Sequence, residues 1–191
     1  MRPTILRRET VYAGYVTVEK LLLRMSTGEE VWREVESHGH AVAVLPYDSS
    51  RRLAYTVRLN RVPVMVCGGP DLLEEACAGM IDPADAGPAE AARREAMEEL
   101  GLRLGALESA GCVWTSPGVV AERCNLFLAP VSSDDRIGQC GGAPGEQEGI
   151  EVLERPLAEL AGQADAGTIL DAKLLMLVQT LRLRRPDLFP R

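Results

Sequence analysis

The spacing of apolar positions changes sharply at Pro88. Up to about residue 80 apolar residues come in short runs or alternate with polar ones; over Pro88–Leu100 they recur at helical spacing, before strand-like runs return. Val11–Val18 and Val31–Val35 are rich in β-branched and aromatic residues and are parted by Ser26-Thr27-Gly28-Glu29, a pattern that predicts an N-terminal hairpin or meander. Ala41–Tyr47 reads as a buried strand, Asp48-Ser49-Ser50 as a turn and Leu53–Leu59 as the strand that follows. Pro63 and Gly68-Gly69-Pro70-Asp71 mark a loop before a further strand, Leu72–Ala78. Pro88–Leu100 is the clearest helix. Pro88 stands where a missing N–H is harmless, and Gly101 stands where a left-handed cap belongs. Leu107–Trp114, Asn125–Val131 and Ile150–Leu153 predict strands, Ser132–Gly149 a long loop, and Leu157–Leu160 the start of a helix. Ile169–Leu183 predicts a closing amphipathic helix with Leu170, Leu174, Leu177, Val178 and Leu181 on one stripe. Strands mixed with segregated helices imply an α/β (α+β) sandwich.

Composition narrows the classes. In 191 residues, 46% are hydrophobic and 26% charged, the proportions of a chain with a real core rather than a disordered tail. No apolar run approaches the roughly 18–20 residues of a membrane span, and the N-terminus has no apolar signal-like stretch, so neither membrane nor secretion is expected. A net charge of -7 speaks against nucleic acid, whose phosphates need clustered cations. Two Phe, two Trp and four Tyr leave little for a base-stacking platform. The five cysteines include no C-x-x-C pair, so reduced thiols in a cytoplasmic protein are expected. His38 and His40 are taken as structural or exposed.

The candidate chemistry lies at the end of the helix. Glu95 precedes Glu98 and Glu99 by three and four residues, so the three carboxylates share one helical face. A solvated face laced with ion pairs is one reading, with Arg94 pairing to Glu90 or Glu98. A site for Mg²⁺, or Mn²⁺ in its place, is the other, because hard oxygens converging on one face suit such ions. Glu95–Glu99 is a like-charge pair, which a cation turns into an attraction. Gly79-Met80-Ile81-Asp82 ahead of the helix allows close backbone approach.

The stretch from Gly79 to Leu102 resembles the Nudix box, G-x5-E-x7-R-E-U-x-E-E-x-G-U. Arg94-Glu95-Ala96-Met97-Glu98-Glu99-Leu100-Gly101-Leu102 fits at every specified position with Ala96 as the apolar residue. The first half departs: there is one residue too many before Arg94, and the early glutamate is absent, with Asp85 or Ala86 in its region. Leu73-Glu74-Glu75-Ala76-Cys77-Ala78-Gly79 is similar to the lead-in of the ADP-ribose and GDP-mannose pyrophosphatase branch. Thr115-Ser116-Pro117-Gly118-Val119-Val120-Ala121-Glu122 is similar to its S-P-G-x-x-x-E segment, and Glu146-Gln147-Glu148-Gly149 to its later acidic loop.

The resemblance implies a Nudix-type α/β/α sandwich with a mixed sheet over 39–191, and an N-terminal β-subdomain over 1–38 through which a homodimer forms. It implies an Mg²⁺-dependent hydrolase of a nucleoside diphosphate sugar. Glu95 and Glu99 would hold the metal, with Glu98 and the Ala78 carbonyl sharing or completing the coordination and Glu75 nearby. Arg94 would orient the carboxylates, and Glu146 or Glu148 would activate water. Arg61 would grip phosphates, and Ser116, Gly118 and Glu122 would contact substrate. Two other readings stand beside it: a weakly catalytic nucleotide sensor, and a house-cleaning hydrolase of nucleoside triphosphates.

Overall fold

The computed structural model describes residues 2–138 and 149–189. It divides into two compact units, one formed by 1–40 with 113–124 and the other by 41–112 with 125–191.

The first unit is built on an antiparallel sheet of β1 (Thr4–Ala13), β2 (Thr17–Arg24) and β3 (Glu30–Ser37), in that order. The segment expected as one strand over Val11–Val18 is two strands. The chain reverses at Gly14-Tyr15, so that Ala13 faces Thr17 and Tyr12 faces Val18. β3 continues into the 113–124 segment through a parallel bridge between Glu36 and Val120, with Glu36 N–H donating to Val119 O and Ala121 N–H to Glu36 O. His38 locks this junction. Its Nδ1 lies 2.6 Å from Glu36 and its Nε2 3.4 Å from Glu122, and the Tyr15 ring stacks at 6.4 Å.

The second unit carries the larger sheet, ordered β10 (Glu151–Pro156), β5 (Leu53–Leu59), β4 (Ala41–Asp48), β9 (Arg123–Pro130) and β8 (Glu108–Trp114). The segment expected as one strand over Leu72–Ala78 is split at Ala76. β6 (Leu73–Glu75) pairs with β5, and β7 (Cys77–Met80) with β4. Every residue of β4 is buried, as a strand covered on both faces requires. Val42, Val44, Tyr55, Val57, Leu59 and Cys77 form one face, against Ala91, Ala92, Ala96 and Leu100 of α2 (Pro88–Leu100). By strand alternation Ala43, Leu45 and Ala54 point the other way, toward the side where α4 (Ala172–Arg184) packs on β4 and α3 (Leu157–Ala166) packs on α4. The α/β sandwich is therefore as expected.

Two further details differ from the pattern reading. Val62–Val66, around Pro63, forms the short helix α1 with no buried residue. The closing helix starts only at Ala172, because the Asp171 carboxylate accepts from the Lys173 and Leu174 N–H groups and caps it there. Leu170 therefore lies outside the helix and is 65% exposed.

His38 has a pKa raised above the ordinary 6.5, chiefly through its hydrogen bond to Glu36, with burial opposing and Glu122 reinforcing. Its ion pairs stabilise the fold fully below pH 6.5, and that gain disappears as pH climbs through the raised value. Thermal melts should show wild type ahead of His38→Gln at pH 5.5–6 (roughly the protonated range), with the gap narrowing as the pH rises past the raised value. A gap independent of pH would contradict this.

Candidate active site

α2 sets out the carboxylates. Gly87 and Pro88 start it, and Gly101 ends it with a left-handed φ of 66°, its N–H reaching Met97 O while Leu102 N–H reaches Ala96 O. The alanines face the core, so Glu95 and Glu99 lie along the flank that meets β7. Glu99 is 5% exposed, and its Oε2 accepts the Ala78 N–H at 3.3 Å. Gly79 comes so close to Glu95 that a Cβ there would overlap the Glu95 carboxylate. Burial pushes the Cys77 thiol well up, and Glu99, Glu95 and Glu98 push it the same way. One strongly negative field covers the β7–α2 seam.

Arg94 is the counter-charge. Its guanidinium donates to Glu95 at 2.8 Å, to Glu98 at 3.0 Å and to the Met80 carbonyl at 2.9 Å, and grips Asp85 through two bonds of 3.2 and 3.0 Å. Its pKa is raised, first by Asp85, and that of Asp85 is lowered, first by Arg94. Glu90 instead takes Arg93. Asp85, in the irregular first half of the box, thus ties the loop onto the helix.

A second cluster surrounds Glu75. Arg61, at the N-cap of α1, donates to Glu75 through Nε at 2.7 Å and Nη2 at 3.3 Å. Lys173 lies 3.4 Å from Glu75 and 2.7 Å from Asp171. Asp171 also accepts the Ala76 N–H at 3.2 Å. Burial lowers the Lys173 pKa, but Asp171 and Glu75 outweigh it and leave the value raised. Lys173 and Asp171 escaped the sequence reading. The one local sign was an aspartate just ahead of a helical stripe, a capping signal.

The other candidates fall elsewhere. Ser116, Gly118 and Glu122 belong to the first unit. The Ser116 carbonyl accepts from Val119 and Val120 N–H, and Glu122 accepts from Thr115 at 2.6 Å. Gly118 helps line a cavity of about 290 Å³ with Trp114, Pro117 and Val119. Glu146 and Glu148 lie outside the described residues.

A model of the NUDIX domain matches residues 37–177. The chain belongs to the Nudix family. A GDP-mannose pyrophosphatase of Cronobacter sakazakii is 42% identical over 153 residues, 80% of this chain and 78% of that protein. One of Pectobacterium atrosepticum is 38% identical over 148 residues, covering 77% and 75%. A crystal structure of an ADP compounds hydrolase superposes with a TM-score of 0.79 over 98% of this chain and 96% of that one, at 23% identity, and shows the same fold. The expectation of a Nudix pyrophosphohydrolase stands on these matches.

Nudix hydrolases generally use a divalent metal, and the donor chemistry here suits one. Glu95, Glu98, Glu99 and the Ala78 carbonyl are hard oxygen donors, and Glu99 is a buried carboxylate whose repulsion with Glu95 a cation would relieve. Among the described residues no three His, Cys, Asp or Glu side chains are gathered around one point, and Arg94 holds Glu95 and Glu98 instead.

Gly79→Ala tests the seam. The added methyl forces the Glu95 carboxylate aside, and turnover of a pyrophosphate substrate should fall on the order of 100-fold, with little change in melting temperature. Unchanged turnover would show that Glu95 need not lie against this backbone.

Proposed function

We propose that this Nudix protein is an Mg²⁺-dependent pyrophosphohydrolase of a nucleoside diphosphate sugar, GDP-mannose before ADP-ribose. The observation that carries the reading is the set of three carboxylates along the β7–α2 seam, in a chain whose relatives are named GDP-mannose pyrophosphatases.

In this reading Glu95 and Glu99 hold the metal, with Glu98 and the Ala78 carbonyl completing its ligands and Glu75 close by. Once bound, the metal supplies charge neutralisation at the diphosphate and polarises a phosphoryl oxygen. Mn²⁺ serves in place of Mg²⁺. Arg94 positions Glu95 and Glu98 through the ion pairs it already makes. Arg61 receives the substrate's phosphates. Glu146 or Glu148 takes a proton from water as the water oxygen bonds to one phosphorus. The bridging oxygen leaves with the other phosphate, giving a nucleoside monophosphate and a sugar phosphate.

A weakly catalytic nucleotide sensor is the second reading, and the Arg94–Asp85 ion pair that ties the irregular first half of the box to the helix is an observation that favours turnover over it. A triphosphate substrate has no observation of its own in its favour.

The protein is proposed to act as a homodimer in a reducing cytoplasm. β1 is an edge strand with Ile5, Leu6, Val11 and Tyr12 exposed, a surface that a second copy would cover. Cys67 and Cys112 are exposed thiols, as a reducing compartment allows. No helix among the described residues is long and apolar enough to cross a membrane, and no nucleic acid is proposed as a partner.

With Mg²⁺ present, GDP-mannose should yield GMP faster than ADP-ribose yields AMP, and chelation should stop both. Glu99→Gln should lower kcat on the order of 100-fold and leave the fold intact, because the amide oxygen can still accept the Ala78 N–H. Absence of nucleoside monophosphate from both compounds would overturn the reading. Light scattering should return about twice the 20.7 kDa chain mass; a monomer at micromolar concentration would overturn the dimer.

A further inference from the structure

Glu75 has more cationic company than a single ion pair needs. Its side chain is 4% exposed, and a buried carboxylate left without counter-charge is strongly disfavoured. Arg61 meets it from the chain just after β5, and Lys173 from the first turn of α4.

The two cations are mounted differently. Lys173 is fixed to the frame: its ammonium also binds Asp171, which caps α4 and accepts the Ala76 N–H beside Glu75. Asp171 is itself buried. Arg61 stands at the start of a helix that buries none of its residues, and its side chain is 37% exposed. An anion arriving from solvent can reach the guanidinium, and a guanidinium's flat fork suits phosphate oxygens. Moving it would strand the Glu75 charge unless another cation remained.

We propose that Lys173 is a positioning residue: it is the standing counter-ion of Glu75 and thereby lets Arg61 transfer its guanidinium to the diphosphate of an incoming nucleotide sugar. The assignment rests on the proposed role of Arg61 as the phosphate grip. Without Lys173, Glu75 holds Arg61 as its main counter-charge, and substrate must compete with a buried carboxylate for it. Binding then suffers while the chemistry of bound substrate does not.

The test is calorimetric titration of a non-hydrolysable methylene-bridged GDP-mannose, with steady-state kinetics on GDP-mannose alongside. Lys173→Met should raise both Kd and KM about tenfold, the scale of one charge-assisted hydrogen bond, and leave kcat within about twofold. Lys173→Arg, which keeps the charge, should restore both constants to near wild type. Should Lys173→Met not fold, Lys173→Gln still donates to Asp171 and carries the same expectation. Unchanged Kd and KM, a fall in kcat alone, or no rescue by arginine would overturn the inference. Wild-type protein that binds the analogue but does not hydrolyse GDP-mannose overturns the hydrolase reading only, and the Kd series still decides on Lys173. Wild-type protein that does not bind it overturns the inference as well.

Discussion

Like charges held close on one helix are the constraint around which this molecule is organised. Glu95 and Glu99 stand four residues apart on α2, and Glu98 lies beside them. On a bare helix such a pair is destabilising, so it persists only where something else opposes the repulsion. Two things do. The Ala78 N–H points at Glu99, and the guanidinium of Arg94 spans Glu95, Glu98 and Asp85 while also meeting the Met80 carbonyl. One cation thus ties helix, strand and connecting loop together at the point where the negative charge is densest.

The rest of the second unit keeps that seam in register. β4 is buried on both faces and serves as the spine. β7 pairs with it through Val44↔Cys77, Ala43↔Ala78 and Val42↔Gly79, which sets the backbone that meets the carboxylates. The alanines of α2 at 91, 92 and 96 allow the helix to sit close on that backbone. Larger side chains there would move the helix outward and the glutamates with it. Gly79 serves the same end, since its missing side chain is the space the Glu95 carboxylate fills. The placement of these carboxylates and the packing of this sheet are therefore one problem with one solution.

Much of this was legible in the residues, and the boundary of what was legible has a physical shape. α2 could be read to the residue, because its start, period and stop are all local signals: Pro88, the apolar spacing and Gly101. The carboxylate face follows from helical geometry alone. Pairing across the fold could not be read. A strand over Leu72–Ala78 gives no sign that it changes partner at Ala76, since that break is supported by Asp171, 95 residues away. The same holds for the cluster of Arg61, Glu75 and Lys173, assembled from three distant segments. Two details were locally signalled and were overrun by pattern: Gly14 divides β1 from β2, and Asp171 caps α4 so that Leu170 falls outside its stripe. Asp85 as the partner of Arg94 depended on the path of a loop whose inserted residue obscured the count.

The proposed hydrolase depends on uptake of a divalent cation by Glu95 and Glu99 at the seam between β7 and α2. The most direct measurement of that uptake is a paramagnetic resonance titration of Mn²⁺ with wild-type protein and with the Glu95→Gln/Glu99→Gln double variant, in the absence of nucleotide. Binding to wild type should saturate, and should weaken at least about tenfold in the variant, with both proteins folded. Equal uptake by the two, or none by wild type, would contradict it.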